Sequence, residues 1–62
     1  MDLKDRVVLV TGGATGLGRE VSLDLAKEGM KVVVNYSRSE ADANETVKAI
    51  EDLGGTAIAI QA

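Results

Sequence analysis

Thr11-Gly12-Gly13-Ala14-Thr15-Gly16-Leu17-Gly18 is the stretch on which the reading of this sequence turns. A short β-branched block, Val7-Val8-Leu9-Val10, precedes it, and apolar residues at helical spacing, Leu17, Val21 and Leu25, run through its end and beyond. The block reads as a strand buried on both faces and stopped by the Gly12-Gly13 turn. The spaced residues predict a helix of about 13 residues with Gly29 as its C-terminal stop. A glycine-rich turn between strand and helix has one particular chemical use. The helix N-terminus leaves backbone N–H groups without internal partners and carries about half a positive charge, so an anion belongs there. Side chains in the turn would hold a diphosphate off those N–H groups. Gly12 is therefore assigned to the tight turn, Gly16 to close approach of a ligand, and Gly18 to close packing of helix on strand.

Working outward, Lys31 to Tyr36 repeats the strand pattern, and Thr56 to Ile60 gives a third strand with Ile58 and Ile60 on one face. Between them Ala43, Val47 and Ile50 form a second helical stripe, with Leu53 near its end and Gly54-Gly55 as the break. Ser37 or Ser39 is expected to cap that helix, with Glu40 or Asp42 three residues later closing a capping box. Strands alternating with helices of this length pair in parallel through right-handed crossovers. The fold class is α/β, a Rossmann-type βαβαβ half of a doubly wound parallel sheet with strand order 3-2-1. No repeat, low-complexity tract or linker interrupts it, so residues 1–62 read as a single dinucleotide-binding segment. The sequence looks cut short, an incomplete domain, because strand one would have an unpaired edge that a longer protein would cover.

Composition removes other classes. The 62 residues contain no Cys and no His, which excludes a disulfide scaffold and a zinc finger. A net charge of −3 leaves no excess of cations for nucleic acid or an anionic membrane. The aliphatic runs fall far short of the roughly 20 residues that span a bilayer. Asp2 and Asp5 stand where a signal peptide would be basic, and the expectation is a cytoplasmic protein. Glu20, Asp24, Lys27 and Glu28, and later Glu45, Lys48, Glu51 and Asp52, lie off the apolar stripes and read as solvated helix faces. Ser22 and Ala26 read as small residues that permit close packing on the sheet.

The glycine spacing then separates nucleotide-binding classes. A P-loop needs Lys after its last glycine, and none of these glycines is followed by Lys. The common Gly-x-Gly-x-x-Gly/Ala fingerprint would start at Gly16 and require a small residue where Val21 stands. Thr-Gly-x-x-x-Gly-x-Gly does fit, and here the chain resembles the short-chain dehydrogenase/reductases of the classical branch. The extended, epimerase-like branch would want glycine where Thr15 stands. In its second half, the run from Lys31 to Glu40 and the run from Gly54 to Gln61 look like bacterial 3-oxoacyl-acyl-carrier-protein reductases and the related glucose 1-dehydrogenases. The resemblance covers all 62 positions but only the N-terminal, nucleotide-binding part of such an enzyme.

The end of strand two bears on the cofactor. An NAD-preferring site places a carboxylate about 20 residues beyond the glycine loop, to accept the ribose 2′-OH. That count lands on Asn35 and Tyr36, neither acidic. Arg38, flanked by Ser37 and Ser39, offers a charge and hydroxyl donors for a 2′-phosphate. The expected cofactor is NADP, with NAD as the alternative. Relatives that use NADP often carry the basic residue one position earlier or inside the glycine loop, where this chain has Ser37 and Thr15, so Arg38 also reads as a solvated loop cation. Tyr36 is given a packing role, beside an adenine or as a cap on the sheet end, and Asn35 ties down the loop backbone. The expected cofactor-binding set is Gly12, Thr15, Gly16, Leu17, Gly18, Tyr36, Ser37, Arg38 and Ser39.

The resemblance implies hydride transfer between a nicotinamide and a carbonyl or alcohol, with an active-site Tyr as acid/base and a Lys four residues later. The only Tyr is Tyr36, and four residues on stands Glu40. No catalytic residue carries over, and the 62 residues alone are not expected to be catalytic. The implied partners are the dinucleotide, a small carbonyl or alcohol substrate of the whole protein, and further copies in a homo-oligomer. A reading of another class is a non-enzymatic, self-associating βαβαβ nucleotide-binding module that hides its strand-one edge against a second copy.

Overall fold

A computed structural model describes residues 4–62. Asp2, read above against a signal peptide, lies outside the described residues. The elements run β1 (Val7–Thr11), α1 (Gly16–Lys27), β2 (Lys31–Tyr36), α2 (Glu40–Asp52) and β3 (Thr56–Gln61). All pairing is parallel, with β2 central between β1 and β3. This is the expected 3-2-1 order seen from the other edge.

The register sorts the strands into two faces. Val8, Val32 and Ala57 share one row, and Val10, Val34 and Ala59 the next. With Tyr36 these residues meet Ala26 of α1 and Ala43 and Ile50 of α2 in one hydrophobic cluster. Both helices therefore lie against this face. The other face carries Val7, Leu9, Val33, Ile58 and Ile60. Here the expectation that β1 is buried on both faces fails: Val7 is 69% and Leu9 59% exposed. The cause is topological, since two crossovers of the same hand return along the same side of the sheet and cannot cover the other.

The helix stripes also need correcting. In α1, Leu17 is 76% exposed and Val21 also faces out, while Ser22 and Ala26 are buried. Leu25, the third residue of the expected stripe, and Leu23 are half-buried and pack against the same core, so the α1 face toward the sheet combines the small Ser22 and Ala26 with these two leucines. In α2, Ala43 and Ile50 are buried as the stripe requires, with Val47 packed beside them, but Leu53 is exposed and Thr46 joins the interior. The charged residues assigned to solvated faces are all exposed.

Ser39 is the N-cap of α2, yet its hydroxyl makes no capping bond, so the capping box does not form. The Glu40 carboxylate is instead turned to the Tyr36 hydroxyl, which donates to it at 3.2 Å.

Candidate functional site

The glycine loop leaves the C-terminal end of β1 and feeds directly into α1. It bends at two positions with left-handed backbone, Gly12 (φ 66°) and Gly16 (φ 54°), a region that costs an L side chain about 1–2 kcal/mol. A Cβ added at either would meet nothing within 4 Å, so both open toward unoccupied space. Gly18 is the opposite case. A Cβ there would overlap the Gly12 carbonyl and come to 3.1 Å from Gly13 Cα. Its neighbour is thus the turn after β1 rather than the strand itself.

The loop is anchored from behind. Gly13 N–H donates to Asn35 O on β2 at 3.3 Å. Ser22 Oγ, fully buried, lies 2.9 Å from Gly18 O and 3.4 Å from Gly13 O. Thr46 Oγ1 on α2, also fully buried, lies 3.1 Å from Ala14 O and 3.0 Å from Asp42 O. At the front, Thr15 is the N-cap of α1, exposed and with its hydroxyl uncommitted to capping. The first turn of α1 holds no acidic residue, unlike that of α2, which holds Glu40 and Asp42. Nothing anionic on α1 itself competes for its N-terminal N–H groups.

The second group of residues follows β2. Tyr36 is its last residue and is buried in the core, its ring on the helix-bearing face. Burial raises its phenol above the ordinary 10.0, and the charge of Glu40 and the hydrogen bond to it add in the same direction. Ser37, Arg38 and Ser39 are exposed. The Ser37 carbonyl accepts from Gln61 Nε2 at 3.0 Å, and the Tyr36 carbonyl from the Ala62 N–H at 2.9 Å, so the end of β3 steadies this loop. Because Thr11 pairs with Asn35 in register, the two loops leave adjacent strands at the same, carboxyl end of the sheet. That end is where open α/β sheets bind ligands.

The clefts lie elsewhere. One of about 350 Å³, lined by Lys4, Asp5, Lys27, Lys31 and Gly54 among others, sits at the opposite end of the sheet. Helix C-termini present carbonyl groups there, which suits an anion poorly. An apolar depression of about 210 Å³ lies beside Val7, Val33 and Ile58. Among the described residues, no three His, Cys, Asp or Glu side chains come together as metal ligands. No helix among them is long and apolar enough to cross a membrane.

Sequence reasoning missed Thr46, and took Ser22 only as a small residue. Both sit one turn from an apolar core position, and a Thr there reads from sequence as an imperfect stripe. The only available signal was a β-branched polar residue between Ala43 and Ile50, where Val would have packed as well.

Comparison with known proteins gives concordant matches. A family model described as short chain dehydrogenase matches residues 6–62. The short-chain dehydrogenase/reductase homolog YusS of Bacillus subtilis is 53% identical over 62 residues, the whole of this chain and 57% of that relative. Among solved structures, the promiscuous reductase LugOII, described as catalysing keto-reduction at C1 in lugdunomycin biosynthesis, superposes with a TM-score of 0.95 at 44% identity, covering 98% of this chain and 25% of that one. The FolM alternative dihydrofolate reductase 1 of Brucella canis, complexed with NADP, superposes with a TM-score of 0.91 at 36% identity, over 98% of this chain and 24% of that one. The chain thus spans just over half of the first relative and about a quarter of these two enzymes.

Proposed function

This chain belongs to the short-chain dehydrogenase family, and on that premise we propose that residues 1–62 are the cofactor-binding segment of an NADP(H)-dependent oxidoreductase that interconverts a carbonyl and an alcohol. The observation that carries the reading is the glycine loop. Two left-handed glycines with open space beside them precede a helix whose first turn holds no carboxylate. Donors of this kind fit a diphosphate bridge, because backbone N–H groups can reach it and no side chain intervenes.

The residues divide the work. The N–H groups at Gly16, Leu17 and Gly18 take the diphosphate, and the free Thr15 hydroxyl donates beside them. Gly12 makes the bend and Gly18 lets α1 start against it. Arg38, with Ser37 and Ser39, takes a ribose 2′-phosphate by charge and hydroxyl donors. Tyr36, fixed by the core and by Glu40, walls the adenosine end. A bound nicotinamide supplies hydride to a carbonyl carbon or accepts it from an alcohol. Tyr36, the only tyrosine, has its hydroxyl held by Glu40, and no residue here is assigned the delivery of a proton to the oxygen. FolM's NADP supports the choice of cofactor, and LugOII's keto-reduction the reaction class. The substrate pocket and any homo-oligomer contact are assigned to the remainder of the protein.

The test is a fluorescence titration of the protein carrying this sequence with NADPH and NADH. NADPH is expected to bind more tightly, and Arg38→Asp to shift the preference toward NADH. Unchanged selectivity in Arg38→Asp would place the 2′-phosphate contact elsewhere.

One observation favours a second reading, a non-enzymatic self-associating module: the sheet face bearing Val7, Leu9, Ile58 and Ile60 is open. Sedimentation equilibrium of the 62-residue chain separates the two, since a monomer at micromolar concentration removes the self-association proposal.

A further inference from the structure

Thr46 buries a hydroxyl on the core-facing side of α2, between the buried Ala43 and Ile50. A helical Thr can satisfy its own hydroxyl on the carbonyl four residues back, and Asp42 O is there at 3.0 Å. That local bond accounts for a tolerated Thr. It does not account for the second acceptor, Ala14 O, at 3.1 Å and 32 residues away in the glycine loop. Ala14 is itself only 3% exposed, so its carbonyl is shut away from bulk water. The single hydroxyl proton serves one acceptor at a time, and Asp42 O has the α2 ladder while Ala14 O lies outside any helix or strand.

The consequence for the loop follows from peptide geometry. No peptide bond in the described chain is cis, so each C=O points opposite to the N–H of the next residue. Drawing Ala14 O back onto α2 turns the Thr15 N–H away from α2. Ser22 acts similarly on the preceding peptide, although its bond to Gly13 O is longer, at 3.4 Å. A loop that takes an anion must keep its carbonyls turned in, because an outward carbonyl dipole repels the same charge its N–H groups attract.

We infer that Thr46 is a positioning residue for the diphosphate-binding loop: from the far helix it holds the Ala14–Thr15 peptide with its carbonyl turned in, so that no acceptor opposes the diphosphate taken by the N–H groups of Gly16, Leu17 and Gly18. The inference rests on the cofactor-binding reading above. It concerns the diphosphate common to both dinucleotides, not the 2′-phosphate that separates them.

The experiment uses the protein carrying this sequence, with Thr46→Val, which keeps the volume and loses the donor, and Thr46→Ser, which keeps the donor. The probes are NADPH, NADH and adenosine 2′-monophosphate, which has no diphosphate. Thr46→Val is expected to weaken NADPH and NADH alike, by about three- to tenfold, as the loss of one hydrogen bond's worth of preorganisation. The NADPH-to-NADH ratio and the affinity for adenosine 2′-monophosphate stay unchanged, and Thr46→Ser binds like the wild type. If Thr46→Val does not fold, Thr46→Cys, a weaker donor, shows the same pattern at smaller amplitude. Wild-type affinity in the Val or Cys variant, failure of Ser to rescue, or equal weakening of adenosine 2′-monophosphate overturns the inference. A wild-type protein that binds neither dinucleotide overturns the cofactor reading, and this inference with it.

Discussion

The Tyr36 hydroxyl donates to Glu40 Oε2 at 3.2 Å, joining the last residue of β2 to the first residue of α2. The bond has a titratable consequence. Burial first, then the carboxylate's charge and the hydrogen bond itself, raise the phenol above its ordinary 10.0. A group whose folded pKa is raised binds its proton more tightly in the native state. Its contribution to stability is complete below pH 10 and is lost as pH rises through the folded value. Because the sequence has one Tyr and no Trp, phenolate absorbance reports this group alone. The native chain should ionise at higher pH than the chain in denaturant, and Glu40→Gln should close part of that gap. A native titration that coincides with the denatured one would refute the coupling.

Gly16 and Gly18 stand two residues apart and should respond to the same substitution through different causes and by different amounts. Gly16→Ala meets no atom and bears only left-handed strain, about 1–2 kcal/mol, less whatever the Ala gains in helix propensity. Gly18→Ala gains that propensity without φ strain, but its methyl is driven into the Gly12 carbonyl, a backbone atom that cannot swing aside. Overpacking of that kind costs about 3 kcal/mol, the upper end of its usual range. Urea unfolding of the two variants should therefore rank Gly18→Ala well below Gly16→Ala, and equal midpoints would contradict the close approach of α1 to the turn.

The parts of this molecule that were legible in sequence are those governed by local rules. Three β-branched or alternating blocks, two helical spacings and the stops at Gly29 and Gly54-Gly55 placed every element, and alternation of strand and helix gave the parallel order. What misled was the assumption that apolar residues mark the buried side. Leu17 and Leu9 are as apolar as Ile50, yet their burial depends on which face the helices return to, a property of the whole topology. The glycine loop was readable because positive φ and close approach leave glycine as the residue of choice. Its anchors were not, since Thr46 meets Ala14 only after 32 residues of chain have folded back.

The open sheet face should bind a hydrophobic dye in the 62-residue chain. Leu9 pairs in register through Val33 to Ile58, so these residues form a row across all three strands, with 59% and 54% of Leu9 and Ile58 exposed. Replacing both by Lys puts charge where apolar surface was, at a cost of about 0.5 kcal/mol or less per exposed site. Dye fluorescence should fall sharply in Leu9→Lys/Ile58→Lys while circular dichroism is retained. Undiminished dye binding would locate the apolar surface elsewhere.

Ile50 tests where the core lies. It is fully buried against the helix-bearing face, and Gly55 packs so close that a Cβ there would come 2.9 Å from Ile50 Cγ2. Truncating a buried Ile to Ala costs about 2–5 kcal/mol. A chain of this length has only roughly 3–9 kcal/mol of stability to lose, at 0.05–0.15 kcal/mol per residue. Ile50→Ala should therefore sit near the edge of unfolding at room temperature. Leu17→Ala removes a side chain that is 76% exposed and should change stability by about 0.5 kcal/mol or less. Thermal denaturation followed by circular dichroism decides the pair: a Leu17→Ala loss as large as that of Ile50→Ala would mean that Leu17 itself packs onto the sheet, contrary to its exposure.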